Sequence, residues 1–384
     1  MQFIDLKSQQ LAILPDGRTI RSAIDERVAA VMDHGQYILG PEVAELEQTL
    51  AEFVGVDHCI AVASGTDALL IALMALGVGP GDEVITTPFS FIATAETIAL
   101  LGATPVFVDI CPQTYNINPD LIELAINERT KAIVPVSLYG QPADFSAINA
   151  VASVHGIPVI EDGAQSFGST QNSQKSCSLT TIGTTSFFPS KPFGCYGDAG
   201  ACFTSDGDLA AKMRRISRHG QSKRYFHTDL GVNGRIDTIQ AAVLLAKWPN
   251  FAWEVEQRSN IGASYSRKLE AAGVQQTPQL LAGNTSVYAQ YTVQVPNRAR
   301  IQSVLKEDGI PTAVHYPGLL CQQKALKSCG PRCSNVCSAP VALAASERVM
   351  SLPMHPWLSE FDQNRVVASL VKALQSPIPL SEAA

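Results

Sequence analysis

The sequence predicts an α/β protein in which a large domain is built on a mostly parallel central sheet and a smaller α+β domain follows toward the C-terminus. Three observations carry this. Short runs rich in β-branched residues alternate with helical stretches from about residue 56 to residue 161. After Ile239 the pattern changes to longer helical stretches with an isolated strand-like run. A chain of 384 residues, 46% hydrophobic and 16% charged, has enough apolar mass for two cores. Alternation of this kind predicts helices on both faces of the sheet, with chemistry collected at the carboxyl ends of the strands.

In order, residues 59–63 read as a strand and 66–76 as a helix closed by Gly77. Residues 83–86 follow as a strand, 92–101 as a helix and 106–109 as a strand. Two more strands are expected at 133–136 and 158–161, separated by a helix near 145–154. Beyond Ile239, helical stretches at 239–246 and 254–271 precede a strand-like 288–295 and a final helix near 362–374. The expected division is a large domain at 36–240 and a small one at 241–384. Residues 1–35, punctuated by Pro15 and Gly17, are expected to pack on the small domain or bridge to it. No internal repeat or low-complexity tract is present.

A net charge of −7 argues against a nucleic-acid groove, although a small anionic substrate needs only local cations. No run of 18 uncharged apolar residues occurs, and Met1-Gln-Phe-Ile-Asp-Leu-Lys7 lacks the layout of a signal peptide, so a cytoplasmic protein without a membrane partner is expected. Of nine cysteines, Cys59, Cys111, Cys177, Cys195 and Cys202 lie in or beside apolar segments, as reduced thiols do. Cys321, Cys329, Cys333 and Cys337 cluster, but their spacing matches no C-x2-C pairing and Gly330-Pro331 disfavours a regular helix. A cysteine-rich surface insertion is the expectation there, and no metal site.

The chemistry centres on Lys191 in Ser186-Phe-Phe-Pro-Ser-Lys-Pro-Phe-Gly-Cys-Tyr-Gly-Asp-Ala-Gly200. Held among apolar and glycine residues, an ammonium loses hydration and its pKa falls, and the neutral amine can condense with a carbonyl. Pro192 biases Lys191 toward extended backbone, placing it on a turn. The plain alternative is a surface lysine in a Gly-rich loop. Ser64-Gly65-Thr66, directly after a strand and opening a helix, offers free amides and a helix dipole to a phosphate, or is an ordinary N-cap. Asp162 lies just beyond a buried strand, where a carboxylate can hold a pyridine nitrogen protonated, or can cap a turn. A phosphate cradle, a pyridinium partner and a Schiff-base lysine together are what pyridoxal 5′-phosphate requires. The motifs of P-loop, dinucleotide, H-E-x-x-H and G-x-S-x-G chemistry are all absent.

The motifs Gly35-Gln-Tyr-Ile-Leu-Gly-Pro-Glu42, Ser64-Gly-Thr-Asp-Ala68, Glu161-Asp-Gly-Ala-Gln165, Ser186-Phe-Phe-Pro-Ser-Lys191, Arg218-His-Gly220, Gly231-Val-Asn-Gly-Arg-Ile-Asp237 and Thr312-Ala-Val-His-Tyr-Pro317 run in order along nearly the whole chain. On these the sequence resembles the DegT/DnrJ/EryC1/StrS sugar aminotransferases, of the aspartate-aminotransferase fold (fold type I). Within that family it looks most like the enzymes that aminate C3 of a UDP-linked 2-acetamido-2-deoxy-3-oxo-hexuronic acid for surface polysaccharide, including O-antigen. The resemblance implies pyridoxal phosphate as cofactor, L-glutamate and a UDP-sugar as substrates, and a homodimer with shared active sites. It implies that Lys191 carries the Schiff base and shuttles a proton. Asp162 would pair with the pyridine nitrogen, Gln165 contact the ring hydroxyl, and Gly65, Thr66 and Ser186 bind the phosphate. Phe91 would stack on the ring, although the residues alone favour a core phenylalanine. Asn233 would reach the phosphate of the neighbouring subunit, and Arg235, His315 and Tyr316 would face the substrate. Guanidinium suits a carboxylate, so Arg235 could serve glutamate and uronate in turn, while His315 could equally be a capped loop residue.

Lys191 stands where a dehydrating branch of the family carries histidine, which favours amino transfer. Three rivals remain at this stage: an aminotransferase acting at C4 of a 4-keto-6-deoxy sugar, a non-catalytic cofactor-binding regulator, and a metal-dependent interaction surface at the cysteine cluster. The stretch 322–339 matches no family motif.

Overall fold

The computed structural model describes residues 1–327 and 338–375. Its central strands are β1 (His58–Val62), β2 (Glu83–Thr86), β3 (Thr104–Phe107), β4 (Thr130–Val134), β5 (Ile160–Asp162), β6 (Ile182–Ser186) and β7 (Gly200–Thr204). β3, β2 and β4 pair in parallel, and parallel bridges Ile133↔Val159 and Val136↔Asp162 carry the order on to β5. β5 pairs in parallel with β6, and β7 lies antiparallel between β6 and β1. The spatial order is therefore 3-2-4-5-6-7-1. β7 runs back against β6, and the link between them, residues 187–199, carries Lys191.

The helices are α1 (Leu6–Leu11), α2 (Ile20–His34), α3 (Pro41–Val54), α4 (Gly65–Ala75), α5 (Ala93–Leu100), α6 (Phe145–Val154), α7 (Gly207–Ile216), α8 (Thr238–Ala271), α9 (Arg298–Glu307), α10 (Pro340–Arg348) and α11 (Glu360–Gln375), with strands β8 (Tyr291–Gln294) and β9 (Val349–Leu352). α4 is apolar nearly all round, and Ala68, Leu69, Ile71, Ala72 and Leu73 are buried in it. A helix of that composition belongs inside a core, and α4 packs against α5, α7, β6 and β7.

The first five strands lie at or within a few residues of their expected places, and β3 starts at Thr104, two residues before its expected position. Two readings need correction. The stretches at 239–246 and 254–271 are one helix, α8, which runs through Pro249. Proline inside a helix costs about 3 kcal/mol, and apolar burial along both halves of α8 offsets it. β6, β7 and α7 occupy a region for which the sequence pattern suggested no elements.

α8 also joins the cores. Ala241, Leu244 and Phe251 pack with Leu14, Ile20, Leu46 and Phe203. Ile261, Tyr265 and Leu269 pack with Val293, Met350 and Leu370. Residues 1–35 touch both: α2 packs on α8, and Met354 N donates to the Phe3 carbonyl at 3.2 Å.

No helix among the described residues is long and apolar enough to cross a membrane. Cys59, Cys111, Cys177, Cys195 and Cys202 are free thiols, and Cys321 is disulfide-bonded. Cys329, Cys333 and Cys337 lie outside the described residues. Among the described residues no group of three or more His, Cys, Asp or Glu side chains could hold a metal.

Candidate active site

Asp162 ends β5 and is 5% exposed. Its carboxylate is fixed on both oxygens: Thr94 Oγ1 donates to Oδ2 at 2.8 Å and Ala164 N to Oδ1 at 3.2 Å. Thr94 is itself 3.1 Å from Ser90 Oγ. Lys191 rides a tight loop after β6, closed by Lys191 N to the Phe188 carbonyl at 2.8 Å and Cys195 N to the Phe187 carbonyl at 2.7 Å. Burial pulls the Lys191 ammonium below its ordinary range, and the charge on Asp162 opposes that fall. Burial pushes the Asp162 carboxyl up, against the hydrogen bonds from Thr94 and Ala164 and the Lys191 charge. An amine whose proton affinity is lowered by burial thus lies within the field of a buried carboxylate that would gain from a nearby cation.

Gln165 joins this pair from the following turn. Its Oε1 accepts from Tyr139 N at 2.8 Å and its Nε2 donates to Tyr316 OH at 3.2 Å. That leaves one amide hydrogen to offer. Burial, then the Asp162 charge, pushes the Tyr316 phenol up, so Tyr316 is a neutral donor. His315 lies next to it, its Nδ1 2.9 Å from Ser351 Oγ and its carbonyl accepting from Tyr139 OH. Phe91 is 54% exposed, its ring centroid 6.4 Å from that of Tyr316. The core reading of Phe91 is therefore overturned, because its ring is free to cover a planar ligand.

His315 is pushed down to about 4 by burial and then by the Lys191 charge, and His355 to about 4 chiefly by burial. Both folded values lie below the ordinary 6.5, so the unfolded chain binds more protons between these limits. The stabilisation is complete above about pH 6.5 and is lost as pH falls toward 4. The urea midpoint is expected to drop between pH 7 and pH 4.5, and His355→Gln to flatten that drop. An equally steep drop in the variant would contradict the assignment.

The phosphate cradle is built where α4 meets β6. Ser64 caps α4 by accepting from Asp67 N at 3.0 Å, and the amides of Gly65 and Thr66 have no carbonyl one turn earlier to bond. A Cβ on Gly65 would sit 2.6 Å from Ser186 Cβ, so the glycine lets the helix end and the strand end touch. Gly65→Ala is expected to weaken cofactor retention at least tenfold, about 1.4 kcal/mol, and to lower the melting temperature as well, since the added Cβ forces the helix end and the strand end apart. Dialysis followed by absorption spectroscopy would show it.

Asn233 and Arg235 flank Gly234, whose carbonyl accepts from Ala63 N at 3.1 Å just before the cradle, but they open onto a cleft that does not include Lys191. They line a cleft of about 430 Å³ with Ile38, Gly197, Asp198 and Gln240. Arg235 Nε is buried without an acceptor, an orphaned cationic donor that would be satisfied by an anion. A cleft of about 630 Å³ lined by Gln113, Tyr115, Gln276 and Gln294 holds none of the expected residues, so the chemistry is located by the convergence on Lys191. Sequence reasoning missed Thr94, Tyr139 and Ser351. Thr94 alone had a signal, three residues after Phe91 at the start of α5.

The residues present fit the expected cofactor: a buried carboxylate for a ring nitrogen, a spare amide hydrogen for a ring hydroxyl, an open glycine cradle for a phosphate and a buried lysine whose proton affinity is lowered. Comparison with known proteins agrees. Residues 18–371 match the model of the DegT/DnrJ/EryC1/StrS aminotransferase family. The chain is 55% identical over 370 residues to the UDP-2-acetamido-2-deoxy-3-oxo-D-glucuronate aminotransferase of Pseudomonas aeruginosa, covering 96% of this chain and 99% of that one. It is 44% identical over 371 residues to a pleiotropic regulatory protein of Geobacillus stearothermophilus, covering 96% and 97%. The crystal structure of ntda from Bacillus subtilis with bound cofactor PMP superposes with a TM-score of 0.87 at 32% identity, covering 98% of this chain and 85% of that one. The chain belongs to the DegT/DnrJ/EryC1/StrS aminotransferase family, and it is a pyridoxal-phosphate-dependent aminotransferase of fold type I.

Proposed function

We propose that this family member transfers the amino group of L-glutamate to C3 of a UDP-linked 2-acetamido-2-deoxy-3-oxo-hexuronate. The product would be UDP-2-acetamido-3-amino-2,3-dideoxy-glucuronate, made in the cytoplasm for surface polysaccharide such as O-antigen. The observation that carries the reading is 55% identity over 96% of the chain to the Pseudomonas aeruginosa enzyme named for that acceptor.

When bound, pyridoxal phosphate supplies an electron sink for negative charge at the amino donor's α-carbon. The protein's own groups do the rest. Lys191 Nζ, its proton affinity lowered by burial, takes the proton from that α-carbon and in the second half-reaction delivers one to C3 of the sugar. Asp162, held still by Thr94, keeps a positive charge on the ring nitrogen. Gln165 donates to the ring hydroxyl, Gly65, Thr66 and Ser186 hold the phosphate, and Phe91 covers the ring. His315 is uncharged at neutral pH, so it hydrogen-bonds to substrate and leaves carboxylate recognition to a guanidinium.

The guanidinium we assign is Arg235 of a second copy. Arg235 and Asn233 line a cleft that does not contain Lys191, and Ile38 in that cleft, Phe188 beside Lys191 and Phe91 beside Tyr316 are exposed apolar side chains. A homodimer that placed Asn233 and Arg235 over the opposite Lys191 would cover both groups and complete both sites.

The test is an absorption spectrum of the cofactor-loaded protein with and without L-glutamate, followed by product mass analysis with 3-oxo-uronate and 4-keto-6-deoxy acceptors. The cofactor band is expected to change with glutamate, and only the 3-oxo-uronate to gain an amine. Preference for the 4-keto sugar would move the position of transfer. A band indifferent to glutamate would remove glutamate as donor and favour a regulatory role, as the name of the Geobacillus stearothermophilus relative suggests.

A further inference from the structure

We propose that Lys247 is a positioning residue for the reaction: its ammonium, buried in α8, grips the exit of the Lys191 loop at the Gly194 carbonyl and thereby sets the placement and hydration of the Lys191 amine. The inference rests on Lys191 being the reactive amine, as argued above.

Lys247 is 2% exposed, and its Nζ donates to the Gly194 carbonyl. Two turns earlier on the same helix, Gln240 brackets the next part of the loop, accepting from Tyr196 N at 3.0 Å and donating to the Tyr196 carbonyl at 3.3 Å. The Lys247 ammonium also lies 5.4 Å from the Tyr196 ring centroid. α8 thus holds residues 194–196 from one side by side chains alone. The loop has little slack to absorb a shift there. A Cβ on Gly194 would meet the Phe188 carbonyl oxygen at 2.6 Å and that of Pro189 at 2.7 Å, so Gly194 is packed on the backbone just before Lys191. Movement at Gly194 is passed to Lys191 three residues away.

The charge itself needs a reason, since taking an ammonium out of water costs several kcal/mol and an apolar chain of equal length would fill the space. It is supported by a buried network. Glu254, 3% exposed, accepts from Gln9 Nε2 at 3.1 and 3.2 Å and from Asn250 Nδ2 at 3.2 Å. Arg258, 4% exposed, donates to the Tyr288 carbonyl at 3.4 Å. The Glu254 charge favours the protonated form of both Lys247 and Arg258, and each cation is hydrogen-bonded to a backbone carbonyl, one of them in the Lys191 loop. A buried charge aimed at one carbonyl fixes a position more sharply than packing does, because a hydrogen bond prescribes both distance and direction.

The test uses two variants and two readouts. In cofactor-free protein, the pH dependence of Lys191 acylation by acetic anhydride, read by peptide mass spectrometry, reports the basicity of the amine independently of any sugar. In loaded protein, the glutamate half-reaction separates kcat from KM. Lys247→Met is expected to raise the Lys191 labelling midpoint by at least about 0.5 pH unit, because a loosened loop rehydrates the amine. The half-reaction should slow by about 10- to 100-fold with KM nearly unchanged. A folded Lys247→Met protein with the original midpoint and a rate within about twofold would overturn the proposal. Should that variant fail to fold, Glu254→Gln keeps the shape of the network while removing the counter-charge of Lys247. It is expected to give a smaller shift in the same direction, and an unchanged midpoint and rate would overturn the proposal equally.

Discussion

Lys191→Ala is expected to abolish amino transfer, by about 10⁴-fold or more, while the protein melts within about 3 °C of the original. General-base catalysis alone accounts for about 10² to 10⁴, and in the proposed role the same amine would also bind the cofactor covalently, so its loss would remove two functions at once. Stability is spared for a local reason. The loop is closed by backbone bonds at Lys191, Cys195 and Phe187, none of which uses the lysine side chain, and removing a desolvated ammonium relieves a cost. Lys191→Arg should be equally inactive, since a guanidinium does not become neutral in this range. Steady-state assay beside a thermal melt decides it, and turnover within about tenfold of the original would remove Lys191 from the centre of the mechanism.

The parts of the fold that were legible in the sequence are those where physics is local. β1 to β4 carry runs of β-branched and apolar residues and β5 is entered through Val159-Ile160, each followed by a helix or a turn. β6 and β7 were hidden because they are poor in large side chains. A Cβ on Gly183 would fall 2.2 Å from the Cys177 carbonyl oxygen and one on Gly200 2.5 Å from that of Ser64. Small residues stand there because other backbone passes close by, a tertiary demand that leaves no periodic trace. α8 was split for the opposite reason, since Pro249 is a strong local signal that burial on both sides overrides. The site divides in the same way. Lys191, Asp162 and Gln165 stand in recognisable motifs at strand ends. Thr94 reaches Asp162 across 68 residues, and Tyr139 reaches Gln165 across 26, so neither pairing could be read from spacing. The exposure of Phe91 is likewise a property of the assembled surface.

Asp162→Asn is expected to lower the rate by about 10³-fold while leaving the fold intact, and its value lies in separating two charges that act on the same reaction. The substitution keeps the shape of the side chain and removes the negative charge facing Lys191. That charge raises the affinity of Lys191 for its proton against the effect of burial, so the labelling midpoint of Lys191 in cofactor-free Asp162→Asn should move down. A more neutral lysine would by itself speed proton removal. A slower enzyme with a more neutral lysine therefore locates the loss at the other end, at the charge that keeps the ring nitrogen protonated; losing one preorganised electrostatic partner in a buried site typically costs about 10² to 10³. Stability should hold or rise, because burial already disfavours the ionised Asp162. An unchanged midpoint would mean that the two side chains do not sense each other, and a rate within about tenfold would show that the ring nitrogen is served by another group.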